Sequence, residues 1–154
     1  MKIDKLWNGL KRIANGDYVR EGDLISEETI EIDLDDRFVV RGRIQTKKSI
    51  IVRCGIKAGE GIEAGDGIKA GWGIKAGCGI KAGCGIEADW GIEAGDGIEA
   101  GAFISVKKRI FAGISIYRTS KDCDKTIRCT ELRDGEVCYG DLILTGSEEK
   151  PDED

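Results

Sequence analysis

Cysteine is the side chain in this chain best suited to redox or metal chemistry, and its spacing argues against both. Six cysteines are present, but there is no histidine. Cys123, Cys129 and Cys138 lack the Cys-X-X-Cys spacing of a zinc site, and only a Cys129–Cys138 disulfide stays open as a pairing. No secretory signal precedes them, so we expect reduced thiols, no metal, no cofactor and a cytoplasmic location.

The missing histidine also bears on catalysis. Histidine is the usual general base near neutral pH, and here only a carboxylate or a cysteine is left to take its place. Gly-X-Gly recurs many times, but without the strand-to-helix context and the Lys-Ser/Thr ending of a nucleotide loop. We therefore expect no enzyme, no catalytic residue and no membrane segment.

The remaining candidates for recognition are aromatic or charged. The basic collar consists of Arg37, Arg41, Arg43, Lys47, Lys48 and Arg53. The acidic coil consists of Glu87, Asp89, Glu93, Asp96 and Glu99. Trp72 and Trp90 form the tryptophan corner, where a glycine-flanked turn does not require an aromatic. With a net charge of −5, the collar is a weak argument for nucleic acid, and a protein partner is the stronger expectation.

A six-residue repeat, Gly-Ile-(Lys/Glu)-Ala-Gly-X, must position these residues. Counting by six from Ile32 to Ile116 meets an apolar residue at all fifteen positions. A small or apolar residue stands two places after each, except at Thr46 and Arg118. Residues i and i+2 share one face of a strand, so each hexad predicts a short strand followed by a glycine corner. The chain is predicted to be a parallel β-helix.

The charges predict how many hexads complete one coil. A period of eighteen places Lys69 on Glu87 and Lys75 on Glu93, and it stacks Trp72 on Trp90. It leaves one like-charged pair, Lys57 with Lys75, whereas a period of twelve stacks several. We therefore predict an all-β, three-sided solenoid of about five 18-residue coils over residues 32–121.

The flanking segments are predicted to cap this solenoid. In residues 1–31, apolar residues from Ile3 to Ile13 follow helical spacing, which predicts a capping helix. In residues 122–146, two alternating segments flank Asp134-Gly135, which predicts a β-hairpin cap. Residues 147–154 are predicted to be a disordered acidic tail.

The hexads resemble those of the hexapeptide-repeat left-handed β-helix family, in which a large inward residue, a small one and a following glycine recur. The frame Ala58-Gly59-Glu60-Gly61-Ile62-Glu63 fits, with the large and small positions exchanged. The resemblance covers about ninety residues and implies an acyltransferase as the enzyme to consider, although those enzymes use a histidine. The residue sequence of the repeat, Gly-Ile-(Lys/Glu)-Ala-Gly, also resembles repeats in uncharacterised bacteriophage and mobile-element proteins.

Two classes of function compete. The first is a binding protein that acts through its outer surface, including a phage-type inhibitor of a host defence protein that presents the acidic coil and the tryptophan corner. The second is a structural rod that self-associates into a homo-oligomer. Acyltransferase activity is a third and disfavoured alternative.

Overall fold

The computed structural model describes residues 1–114 and 124–145, which form an all-β parallel solenoid. The predicted fold class is confirmed. The strands are β1 (Lys2–Ile3), β2 (Lys11–Arg12), β3 (Tyr18–Arg20), β4 (Leu24–Ser26), β5 (Ile30–Ile32), β6 (Phe38–Val40), β7 (Ile44–Thr46), β8 (Ile50–Val52), β9 (Ile56–Ala58), β10 (Ile62–Ala64), β11 (Ile68–Ala70), β12 (Ile74–Ala76), β13 (Ile80–Ala82), β14 (Ile86–Ala88), β15 (Ile92–Ala94), β16 (Ile98–Ala100), β17 (Phe103–Ala112), β18 (Thr126–Cys129), β19 (Glu131–Tyr139) and β20 (Asp141–Leu144).

These strands stack in three columns, which are the three faces of the solenoid. The first face contains β3, β6, β9, β12, β15 and the second half of β17. The second face is a seven-stranded sheet that runs from β4 through β7, β10, β13, β16 and β18 to β20. The third face contains β1, β5, β8, β11, β14 and the first half of β17. Since the second face has seven strands, the solenoid has about seven turns.

The core is built as the hexads predict. In β13, Ile80 and Ala82 point inward and are 1% and 2% exposed, while Lys81 between them faces solvent. Neighbouring coils pair Ile on Ile and Ala on Ala, as Ile62, Ile80 and Ile98 do. The inward Thr46, which interrupts the apolar pattern, donates its hydroxyl to the Glu28 carbonyl, so its polar group is satisfied.

The predicted 18-residue step is confirmed from β6 to β17. It does not hold at the C-terminal end, where Ile98 pairs with Ile127 and Ile104 pairs with Leu132. The first coil differs too. Tyr18 pairs with Phe38, and Ile30 pairs with Ile50, so this step is twenty residues. The corner at residues 33–37 is two residues longer than the three-residue corners that follow. Ile32 therefore occupies a small-residue position opposite Val52. The predicted start at Ile32 and the count of five coils are both wrong.

The predicted N-terminal helix is also wrong. β1 pairs in parallel with β5, β2 pairs antiparallel with β3, and residues 1–114 and 124–145 contain no α-helix. Pairing with the exposed edges of the first coil satisfies backbone groups that a short isolated helix would leave to solvent. Gly9 and Gly16, with φ of 111° and 95°, make the turns. Trp7 and Leu10 pack against the core from this end.

The predicted C-terminal hairpin is wrong as well. β19 runs unbroken through Asp134-Gly135 and pairs in parallel with β17, and β18 pairs in parallel with β20. Gly135 has a φ of 120°, and the chain bends there from the third face to the first. A solenoid corner and a hairpin turn both favour Asp-Gly, which is why the sequence signal misled. Ile116, Arg118, Cys123 and the acidic tail lie outside the described residues.

Candidate functional site: the tryptophan corner and its groove

The tryptophan corner lies between the third and first faces. The rings of Trp72 and Trp90 are stacked, with centroids 5.9 Å apart and planes 16° from parallel. The Trp90 amide donates to the Trp72 carbonyl at 3.2 Å, so the coil-to-coil ladder places one indole over the other. The side chains remain 39% and 55% exposed. The predicted stacking is confirmed, and neither indole belongs to the core.

One coil further on, the same column holds Lys108. Its amide donates to the Trp90 carbonyl, and its Nζ lies 5.5 Å from the centre of the Trp90 ring. Trp90 therefore has an ammonium group on one face and Trp72 on the other.

A groove of about 1110 Å³ runs beside this corner along the solenoid axis. Its floor consists of Gly-Ile pairs from successive coils, including Gly73-Ile74 and Gly91-Ile92. It begins at Asp17 and ends at Glu136, which is six coil steps or about 29 Å. The indoles line one side, and Lys75, Glu93 and Phe111 of the first face also line it.

The groove carries both signs of charge. Lys75 pairs with Glu93 at 3.3 Å near its middle. Arg37 pairs with Asp17 at 2.6 Å at the N-terminal end, where Asp17 is only 9% exposed. On the first face beside Lys75, partial burial lowers the pKa of Lys57, and the positive charges of Lys75 and Arg37 lower it further. The groove thus suits a ligand that is neither uniformly acidic nor uniformly basic.

In the structure, the charges of the basic collar are neutralised by acidic side chains. Sequence reasoning had treated the collar as an unpaired surface. Every member forms an ion pair with an acid twenty residues earlier. The pairs are Arg37–Asp17, Arg41–Glu21, Arg43–Asp23, Lys47–Glu27, Lys48–Glu28 and Arg53–Asp33. These acids are present in the sequence, but they fall opposite the basic residues only when the coil contains twenty residues and not eighteen.

The acidic coil is not one surface either. Glu87, Glu93 and Glu99 are the outward residues of strands on three different faces. Glu87 pairs with Lys69 at 3.9 Å, Asp89 pairs with Lys107 at 3.5 Å, and Glu93 pairs with Lys75. Of the five acids, the groove is lined only by Glu93. A phage-type inhibitor that presents the acidic coil as one surface therefore gains no support from the geometry.

The cysteines that the structure describes are free thiols in separate places. Cys54 is buried at a corner, and burial raises the pKa of its thiol to about 11. Cys129 is buried, which raises its thiol pKa, whereas Cys138 is exposed and is not bonded to it. Across residues 1–114 and 124–145, no three His, Cys, Asp or Glu side chains are grouped so that they could hold a metal ion.

Comparison of the chain with family models, with curated proteins and with solved structures found no match. The described residues also include no helix with the length and apolar character needed to cross a membrane. The site is therefore defined by its geometry alone. Sequence reasoning found the two tryptophans, but it missed the groove, whose lining comes from seven successive coils.

Proposed function

We propose that this chain is a non-catalytic binding protein whose tryptophan corner and groove hold an extended segment of a partner protein. The observation that carries the proposal is the exposed Trp72–Trp90 stack beside the axial groove. Tryptophan is costly to leave in water and is enriched at the centres of protein interfaces. Neither indole is needed to fill the core.

The shape of the groove favours an extended peptide. Its length of about 29 Å matches about nine residues of a strand at roughly 3.3 Å per residue. Its mixed charges suit the alternating side chains of a polypeptide. A sugar stacks on an open aromatic face, and the Trp90 ring already has Trp72 and Lys108 against it.

A phage-type inhibitor of a host protein is one form of this proposal, distinguished only by the identity of the partner. The acyltransferase alternative stays disfavoured by the missing histidine. The self-associating rod is favoured by a separate observation, the partial exposure of Leu142, an inward residue of β20 at the C-terminal end of the solenoid.

The test is a quantitative pull-down from a bacterial lysate with the tagged protein and the Trp72→Ala/Trp90→Ala double variant. We expect one dominant partner, identified by mass spectrometry, that the double variant loses while keeping its circular dichroism spectrum and melting temperature. The matched control is Ile25→Ala/Ile51→Ala, which removes two hydrophobic residues that are 49% and 43% exposed on other faces.

The partner is then purified and titrated against all three proteins, and its peptides are screened for the bound segment. Binding that falls only in the tryptophan variant supports the proposal. Equal binding by all three proteins would show that the tryptophan corner is packing and would overturn it.

A further inference from the structure

One pair of outward residues breaks the charge pattern of the solenoid. Lys57 and Lys75 lie in register on neighbouring strands of the first face. On the second face, by contrast, Glu63, Lys81 and Glu99 alternate in sign from coil to coil. Among the strand pairs that the structure describes, Lys57–Lys75 is the only one with two like charges in register. Two cations therefore lie side by side at one place on the first face.

Lys57 is the less satisfied of these two cations. Lys75 has Glu93 on its C-terminal side, with Nζ 3.3 Å from the carboxylate. Lys57 has no ion pair with any residue that the structure describes. Partial burial lowers the pKa of its ammonium group, and the positive charges of Lys75 and Arg37 lower it further. An anion beside Lys57 would remove this electrostatic cost.

The lysine pair lies next to the tryptophan corner. Lys75 follows Trp72 by three residues, and both side chains line the groove. Along the solenoid axis, the centre of the lysine pair is about one coil step, or about 4.8 Å, from the centre of the Trp72–Trp90 stack. That distance corresponds to one or two residues of an extended chain. A segment that contacts the indoles therefore reaches the lysine pair with a neighbouring side chain.

We propose that the bound segment carries an aspartate or glutamate whose carboxylate lies between Lys57 and Lys75. This inference rests on the proposed function and specifies the chemistry of the segment. Glu93 limits where the acid can lie, because a carboxylate on the C-terminal side of Lys75 would meet a like charge. Successive side chains of an extended chain point to opposite sides. The acid is therefore expected directly beside the apolar or aromatic residue that contacts the indoles.

The lysine pair gives the groove selectivity at a small cost to the free protein. The repulsion is weak there, because the Lys75 side chain is 51% exposed. A carboxylate between two ammonium groups removes that repulsion and forms two charge-assisted hydrogen bonds. Lys57→Glu separates the two properties. It should leave the fold at least as stable as wild type, because glutamate would face cations, but it should repel an acidic segment.

The test selects segments without knowledge of the natural partner. A yeast-displayed library of random peptides of about nine residues is sorted for binding to the tagged wild-type protein, and selected peptides are titrated by fluorescence anisotropy. We expect peptides with Asp or Glu beside an apolar or aromatic residue. Their affinity should fall about tenfold in Lys57→Glu, with no loss in melting temperature. Replacing the acid of the peptide by lysine should restore binding to that variant.

Lys69→Glu is the matched control. It makes the same charge change three residues before Trp72, on the third face and outside the groove. Its affinity for the selected peptides should stay within about twofold of wild type, since a distant exposed charge is screened. An equal loss of affinity in the two lysine variants would mean that only net charge matters, which would overturn the inference.

The other outcomes separate this inference from the proposed function. Peptides that require Trp72 and Trp90 but show no preference for acids, or that bind Lys57→Glu as well as wild type, would overturn the inference and leave the proposed function standing. Acidic peptides that bind the tryptophan double variant as tightly as wild type would overturn the proposed function instead. A library that yields no binding peptide would overturn both.

Discussion

The first two coils and the coils that follow are joined in different ways. Between the coil of β3–β5 and the coil of β6–β8 the step is twenty residues. Six ion pairs join side chains at the corners of these two coils. From β9 to β16 the step is eighteen residues, the corners are rich in glycine, and opposite charges alternate along the strand centres. One backbone scaffold thus accepts two kinds of contact between coils.

Glycine becomes frequent at the corners where the shorter step begins. A Cβ atom on Gly59 would collide with the Arg41 carbonyl oxygen one coil below, and one on Gly77 would collide with that of Gly59. At the same corner position in the second coil, Arg41 carries a full side chain and pairs with Glu21. The N-terminal coils therefore use corner side chains for electrostatic contacts, and the later coils give them up for close backbone stacking.

The largest effect is expected from Arg37→Ala in the N-terminal coils. Arg37 donates to Asp17 Oδ2 from Nη2 at 2.6 Å and from Nε at 3.2 Å, and Asp17 is nearly buried. The variant leaves that carboxylate without its cation, so urea unfolding should show a loss of about 1–2 kcal/mol.

Arg43→Ala is the matched control. Its guanidinium lies 3.7 Å from Asp23, both side chains are about half exposed, and Asp23 keeps a hydrogen bond from the Arg43 amide. The expected loss is about 0–1 kcal/mol. Equal losses in the two variants would mean that burial does not distinguish these pairs, and the comparison would lose its electrostatic basis.

A smaller effect with a clear pH dependence is expected from Asp35→Asn. The Lys5 ammonium and the Tyr18 hydroxyl hydrogen-bond to Asp35 and lower its pKa from 3.8 to about 2. A carboxyl pKa that is lower in the folded state stabilises the fold above the unfolded pKa, and this stabilisation is lost as pH falls towards 2. The variant should melt below wild type at pH 7, and the gap should close between pH 4 and pH 2.

A gap that persisted unchanged at pH 2 would show that Asp35 acts through packing and not through its charge. Lys69→Ala is the matched control in the later coils, because its pair with Glu87 is 3.9 Å long and exposed. That variant should stay close to wild type throughout the same pH range.

How much the sequence predicts also differs between the two regions. In the later coils the hexads are nearly perfect, and the charges of Lys69, Lys75 and Glu87 distinguish a step of eighteen from one of twelve. Near the first coil, Ile30, Ile32 and Leu34 are all apolar, so spacing alone does not reveal the longer corner at residues 33–37. Because the longer corner was not recognised, the ion pairs between residues twenty positions apart were not recognised either.

The ends and the groove were harder to predict for other reasons. A short segment with apolar residues at Ile3, Leu6 and Leu10 fits a helix or an edge strand equally well until its neighbours are known. The groove depends on residues one coil apart whose side chains must first be placed. The tryptophan pair was predictable because two identical aromatic residues eighteen positions apart need only the period to be correct.

The smallest effect, and the only gain in stability, is expected from Lys57→Glu. Lys57 lies in register with Lys75, which makes it an exception to the alternation of charge in the later coils. Partial burial and the charges of Lys75, Arg37 and Arg41 lower its pKa, so the folded state disfavours its ammonium form. Glutamate would face those cations instead. Since the Lys75 side chain is about half exposed, we expect a gain of about 0.5 kcal/mol or less in the free energy of unfolding.

The same Lys-to-Glu change at a position that faces an acid sharpens this prediction. Lys69→Glu places a carboxylate in register with Glu87, so the same charge change should lower the stability by a similar amount. High salt should shrink both effects, because exposed charges are screened. If both variants lost stability in urea unfolding and salt changed neither loss, coil pairing in this region would depend on the packing of lysine side chains. The contrast with the ion-paired N-terminal coils would then be one of electrostatics against packing, and not of two electrostatic patterns.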